Sequence, residues 1–377
     1  MAEKFSLKDH LFNAETIGQL ASEFALLPGF EADAFAAEVL SGFDGRELLE
    51  RLDWIADCLE PRLASDFPTM ADQVQAAMPA PLDPTLRDDD FGQFIHAVPG
   101  ILAVRHGLED HRDRALDLLE QATQRFSMEF YIRPFLNRWP DETLARLQRW
   151  AKHDNYHVRR LVSEGTRPRL PWAKNIEIEP LVPLPLLNQL HADPTRYVTR
   201  SVANHMNDLS KVSPDTVLKT LTDWQAEGRQ NPRELAWMTS HALRTMIKSG
   251  EPRAMAMLGY EAEADIRVDR LTMTPPAPKI GDKTVVEIVL SADQDTPVLV
   301  DYAIRFTRPS GAETDKVFKV KQGIVRASKP LTLKKTQVFK AEASTYTLVP
   351  GSHRLSLMVN GGVRAVLDFD LGAAETS

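Results

Sequence analysis

Between residues 154 and 242 the chain repeats itself. Val158-Arg159-Arg160-Leu161-Val162-Ser163 aligns with Val198-Thr199-Arg200-Ser201-Val202-Ala203 at an offset of 40, each stretch following a turn that holds Asp154 or Asp193, and a weaker third copy begins near Met238. A unit of this length with two helices cannot bury its apolar face alone. Stacking such units gives one continuous core, which is the signature of a HEAT or armadillo solenoid.

The helical pattern extends back to the start of the chain. Leu48, Leu52, Ile55 and Leu59, and again Leu144, Leu147 and Trp150, recur at spacings of three and four, as on one face of a helix. After Glu261 the character changes. Pro275-Pro276-Ala277-Pro278 blocks helix, and Val285–Leu290 and Val298–Phe306 alternate in short runs that read as strands. The end reads as a hairpin, Leu355–Val359 and Val363–Phe369 about Asn360-Gly361-Gly362, because Asn-Gly supplies the left-handed turn residues that hairpins require. The expected architecture is an all-α HEAT-like repeat domain over 1–262 followed by an all-β immunoglobulin-like sandwich over 268–374. A chain of 377 residues has room for two such cores.

Charge divides along the chain. The formal total is -8, yet residues 1–124 carry 9 basic and 24 acidic groups, whereas 125–211 carry 14 basic and 9 acidic. A polyanion binds a local patch rather than a net charge, so the central segment is where phosphate contacts are expected. Cys58 is the one cysteine, which excludes an internal disulfide framework and a cysteine-based zinc site. Met1-Ala2-Glu3-Lys4-Phe5 does not resemble a signal peptide, and no apolar run approaches the roughly 18 residues of a membrane span. The expectation is a soluble, cytoplasmic protein. His153 and His157 are four apart without a third ligand in view, and no phosphate loop, dinucleotide fingerprint or nucleophile elbow occurs, so neither metal nor cofactor is expected.

Arg196, Arg200, Asn204, Asp208 and Lys211 share one helical face. The offset of 40 sets Arg160 and Glu164 beside Arg200 and Asn204, and carries the row on through Ser240 and Arg244, with Trp237 and Lys248. Such rows are readable either as a functional surface or as solvated faces with intrahelical Arg/Glu pairs. Ser163-Glu164-Gly165-Thr166-Arg167-Pro168-Arg169-Leu170-Pro171-Trp172 is a helix end followed by a basic, proline-stiffened loop. It suits either phosphate and base contact or a connector anchored by a buried Trp172. Glu129 stands in Phe126–Leu136, which reads as an otherwise apolar helix, and is either paired with Arg133 at i+4 or exposed on a functional face.

Together Phe126–Leu136, Asn155–Arg160, Arg167–Ala173 and Arg200–Asp208 resemble the AlkC branch of the AlkC/AlkD HEAT-repeat DNA glycosylases, whose bacterial members can carry a C-terminal immunoglobulin-like domain. The resemblance covers the whole helical domain. It implies hydrolysis of the N-glycosidic bond of cationic alkylated purines in duplex DNA, 3-methyladenine preferred, without base flipping. A methylated purine leaves readily while the sugar gains oxocarbenium character, so anionic side chains near the sugar suit the reaction. By resemblance Glu129 and Glu164 take that role with Asp208 as a third carboxylate, and Arg160 and Trp172 contact the lesion nucleotide; a monomer is expected because solenoids with a capped end are commonly monomeric. Arg133, Arg167, Arg169, Arg196, Arg200, Asn204, Lys211, Arg244 and Lys248 are then the expected DNA contacts, with Lys319, Lys321, Lys334 and Lys335 of the sandwich as further basic groups. The alternative is a non-catalytic HEAT scaffold that binds DNA or protein, since the fold serves binding more often than chemistry.

Overall fold

The computed structural model describes residues 6–88, 90–307, 311–340 and 348–374. Within them the chain forms helices α1 (Leu7–Leu11), α2 (Ala14–Phe24), α3 (Ala32–Ser41), α4 (Leu48–Leu59), α5 (Phe67–Ala77), α6 (Val98–Gly107), α7 (Arg112–Ala122) and α8 (Ile132–Arg138). The helical series continues with α9 (Pro140–Trp150), α10 (Tyr156–Gly165), α11 (Leu184–Leu190), α12 (Arg196–Leu209), α13 (Pro214–Glu227), α14 (Pro232–Ala242), α15 (Arg244–Lys248) and α16 (Pro252–Met257).

The repeat read from the sequence is a packing repeat. Helix α10 lies against α12 and α12 against α14, and the positions 40 apart are buried together: Val158, Val198 and Met238 in one layer, Val162, Val202 and Ala242 in the next. A short polar side chain sets the entry to α10 and to α12: in the first copy it caps the first turn, and in the second it fixes the residue ahead of the helix. Asn155 Oδ1 accepts from His157 N (2.8 Å), and Asp193 Oδ1 from Thr195 N (2.9 Å). The cap of the first copy is thus Asn155 rather than its neighbour Asp154. Asp193 also receives Arg159 Nε (2.5 Å) from the preceding copy, which ties successive repeats. Two readings are corrected. The segment 126–131 consists of turns, and helix begins only at Ile132; the third copy ends at Ala242.

By compactness the chain divides into residues 1–242 and 243–377, so α15 and α16 group with the strands. In this second unit the strands β1 (Ile266–Thr274), β2 (Lys283–Ala292), β3 (Thr296–Thr307), β4 (Glu313–Val325), β5 (Leu331–Val338), β6 (Gly351–Val359) and β7 (Gly362–Leu371) form two antiparallel sheets. Their orders are β1-β2-β5 and β4-β3-β6-β7. Alternate residues such as Val286, Ile288 and Leu290 of β2, Tyr302 and Ile304 of β3 and Leu355 and Leu357 of β6 make the shared core. This is the two-layer packing of a sandwich. The expected hairpin is β6–β7, with Val359 opposite Gly362 and positive φ at Asn360 and Gly361.

Asn360 also ties down the chain that enters the sandwich. Its Nδ2 donates to Glu261 O (3.0 Å), its Oδ1 accepts from Leu299 N (2.8 Å), and Arg364 donates to the carbonyls of Ala262 and Ala264. Gly361 meets the backbone of Gly250, where a Cβ would stand 3.3 Å from the Gly250 carbonyl oxygen.

Candidate active site

Four segments of the first unit meet at one place: the turns before α8, the last two turns of α10, the loop after it, and α12. Gly165 permits the meeting, since a Cβ there would stand 2.4 Å from Ile132 Cγ2. The end of α10 therefore rests on the start of α8, and Glu164 is brought next to the segment that carries Glu129. On α10, Arg160 and Glu164 are one turn apart and share a face.

The charged side chains form a ribbon of alternating sign. Glu129 Oε2 accepts from Arg160 Nη1 (2.8 Å) and from Ser127 Oγ (2.5 Å). Arg160 Nη2 lies 3.7 Å from Glu164 Oε2, and Glu164 Oε1 accepts from Arg167 Nη1 at 2.6 Å. Arg167 then reaches Asp208 through Nε (3.0 Å) and Nη2 (2.9 Å), and Asp208 accepts from Lys211 Nζ (3.0 Å). The side chains of Glu129, Glu164 and Asp208 are 18%, 6% and 5% exposed. Glu129 is the carboxylate that reaches the surface, and its Oε1 has no hydrogen bond among the described residues.

Ser201 completes the setting of Glu164. Its Oγ donates to Glu164 Oε2 (2.6 Å), and with its proton so used it accepts from Ser163 Oγ (2.9 Å). Burial pushes the Glu164 carboxyl up, but the guanidiniums of Arg160 and Arg167 and the Ser201 hydroxyl together hold it below the usual range, so it is an anion at neutral pH. Burial likewise weakens Arg160 as a cation, and Glu129 and Glu164 more than restore it. His157 and His205, both buried, are pushed down to about 4 by desolvation and by Arg160 and Arg167 respectively, and are neutral. His153 is apart from them, 3.5 Å from Glu120.

Aromatic rings border the ribbon. Arg160 lies over Tyr197 (4.5 Å to the centroid), which meets Phe91, Tyr156 and His157 at 5.5 to 5.9 Å. In the loop, Trp172 is 71% exposed, with φ at +64°. This left-handed conformation is uncommon for a bulky residue. It edges a cavity of about 320 Å³ shared with Phe130, Tyr131, Ile101 and Pro134, next in the chain to Glu129. An exposed indole rules out the buried-anchor reading of this loop.

Of the expected DNA contacts, several point inward. Arg133 is 1% exposed, and its guanidinium donates to the carbonyls of Lys174 (2.6 Å), Gly165 (3.1 Å) and Arg167 (2.8 Å). It holds the loop down and has no face for a phosphate, nor does it pair with Glu129. Arg167 is engaged by two carboxylates. Arg169 is exposed. Arg196 pairs with Glu234 (2.8 Å) and stacks on Trp237 (3.9 Å), and Arg200 pairs with Asp88 (2.5 Å). Asn204 Oδ1 is 2.8 Å from His241 Nε2. Lys211 lies just past the end of α12. Arg244 and Lys248 stand on α15 in the second unit, because α14 stops at Ala242; Trp237 and His241 continue the row instead, stacked at 4.9 Å. In the sandwich Lys334 pairs with Glu287 (3.0 Å), while Lys319, Lys321 and Lys335 are exposed.

Tyr197, Ser201, Ser127 and Asp88 belong to this surroundings and were not singled out from the sequence. One signal existed: Ser201 takes the place that Leu161 holds in the previous copy, a hydroxyl where the repeat calls for an apolar residue.

Three comparisons bear on the chain. Residues 267–373 match the family model described as the C-terminal Ig-like domain of uncharacterised protein YhaZ. The uncharacterised protein YhaZ of Bacillus subtilis (strain 168) is 36% identical over 264 residues, 69% of this chain and 72% of that protein. A solved structure, Pseudomonas fluorescens alkylpurine DNA glycosylase AlkC bound to DNA containing an abasic site analog, superposes with a TM-score of 0.83 at 30% identity. It matches over 97% of this chain and 99% of its own.

Proposed function

Because the chain belongs to the AlkC branch of the AlkC/AlkD family, the branch in which helical repeats precede an immunoglobulin-like domain, we propose that it is a DNA glycosylase that removes alkylated purines from duplex DNA. The finer reading is 3-methyladenine as preferred lesion and hydrolysis of its N-glycosidic bond. The observation that carries it is a buried, ionised Glu164 that shares Arg160 with a surface-reaching Glu129, while an exposed indole edges a cavity also lined by Phe130, the residue after Glu129.

The substrate supplies the logic. A 3-methylated purine is already cationic and departs neutral, so no strong acid has to protonate it, and the barrier lies in the positive charge that grows on the sugar. Glu129, with Oε1 open, faces that charge and can orient the attacking water. Glu164 and Asp208 add negative potential behind it. Arg160 and Arg167 hold the Glu164 carboxyl below its ordinary range and leave Glu129 Oε1 uncovered. Arg160, fixed between two carboxylates, borders the lesion nucleotide, and Trp172 packs against it.

The reading includes no base flipping. At the neighbouring cavity Asp53 and Arg105 are engaged with one another (3.3 Å), which leaves Lys174 and Tyr131 as its other polar side chains. It also includes a monomer in the cytoplasm, with which the buried free thiol of Cys58 agrees.

Single-turnover release of bases from methylated DNA, with each product identified by chromatography, tests the proposal. Wild type should release 3-methyladenine, and Glu129→Gln and Glu164→Gln should each slow release by about 100-fold or more with duplex affinity largely kept. A folded wild type that binds duplex and releases nothing would return the chain to the scaffold reading.

A further inference from the structure

The ribbon leaves a question of charge. Arg133, Arg160 and Arg167 all point inward to carbonyls or carboxylates, so the cations that meet a polyanion must lie elsewhere. One place in the first unit gathers them. At the starts of α12 and α14 a cleft of about 560 Å³ is bordered by Arg87, Arg196 and Arg233, with Glu234 and Asn231. The three guanidiniums come from three separate segments, each held by the fold. Arg87 is placed through its own carbonyl, which accepts from Tyr197 N (3.0 Å) in the first turn of α12. Arg196 is clamped by Glu234 and lies over Trp237. Arg233 is set by the turn in which its amide donates to Asn231 Oδ1 (2.9 Å).

Three guanidiniums face one carboxylate. Arg87 and Arg233 are both exposed and make no ion pair among the described residues, whereas Arg160, Arg167, Arg196 and Arg200 are all paired. Like charges held around one opening repel, and an anion with several oxygens relieves that repulsion with charge-assisted hydrogen bonds to forked donors.

We propose that this cleft is a phosphodiester site, occupied by a backbone phosphate of the duplex. The inference rests on the duplex-binding reading above. The contact is to the backbone, so it positions the protein on the strand and carries no information about sequence or lesion.

The experiment is duplex binding followed by fluorescence anisotropy between low and moderate salt, with undamaged and abasic-site duplexes, for wild type and an Arg87→Ala/Arg233→Ala double variant. A double Gln variant controls for side-chain bulk, and thermal unfolding confirms that each variant is folded. Loss of one phosphate contact should make the slope of log affinity against log salt shallower by about one. Affinity should fall about tenfold, equally for both duplexes. A wild type that binds with a steep slope while both variants keep that slope overturns the cleft and leaves the glycosylase reading standing. If inorganic phosphate saturates the cleft at matched ionic strength and the variants bind duplex as wild type does, the site is one for free anions and the proposal is overturned. No duplex binding by folded wild type would take down both readings, and the wild-type titration alone reveals it.

Discussion

Two arginines of the helical unit gather carboxylates, and they do so in opposite ways. Arg105 of α6 meets Asp53 (3.3 Å), Asp57 (2.7 Å) and Glu60 (2.6 Å), an excess of negative charge around one cation, with Asp53 and Asp57 59% and 53% exposed. Arg160 of α10 sits between Glu129 and Glu164 in a ribbon where every anion is flanked by a cation. Water screens the first cluster, so its charges need not balance and each pair stabilises little. The second is out of water at its centre, Arg160, Glu164 and Arg167, where an unmatched charge is costly and strict alternation is the stable arrangement. Apolar residues of similar volume could replace such a network without loss of stability, so its presence points to a role other than stability, and the reaction proposed above would give it one.

The contrast can be broken by removing one cation from each cluster. Arg160→Met leaves two carboxylates of the ribbon without their shared partner, and urea unfolding should show a loss of about 3–5 kcal/mol. A loss below about 1 kcal/mol would mean that water reaches the ribbon as it reaches Arg105. A smaller effect is expected from Ser201→Ala, which keeps every charge and removes one hydrogen bond to Glu164. Glu164 has its carboxyl held below the ordinary value in the folded protein, so its contribution is complete above that ordinary range and is lost as pH falls through the folded value. Without Ser201 the folded value rises. The acid limb of single-turnover base release should move to higher pH, and the rate at neutral pH should fall by about tenfold, the size of one hydrogen bond to a charged group. An unmoved limb would reduce Ser201 to packing. The smallest effect belongs to Arg105→Met, for which unfolding should change by under about 1 kcal/mol.

What could be read in advance follows from the range of each signal. The period of 40 was legible because burial repeats with it: Val158, Val198 and Met238 share one layer. The second domain was legible because prolines exclude helix and Asn360-Gly361 supplies a turn with positive φ. Pairings across the fold were not. Spacing offered Arg133 as the partner of Glu129, but residues 126–131 are turns and the partner is Arg160, 31 residues away. Basic residues were expected to face a polyanion, and burial decides otherwise for Arg133 and Arg167, whose donors point into the protein. The residues of the carboxylate pair came from family resemblance; their electrostatic setting, above all Ser201 and Tyr197, came only with the packing.

The way the chain enters its second half has a practical meaning. Helices α15 and α16 resemble the repeats in secondary structure, yet Gly250 abuts Gly361, and Asn360 and Arg364 grip the carbonyls of 261–264. The unit of cooperative unfolding is therefore expected to begin near residue 243, some twenty residues before the first strand. Amide protons of these two short helices should exchange with the strands rather than with α14. A fragment cut where helix gives way to strand would strip the sandwich of part of its own body, whereas one beginning at 243 keeps it whole.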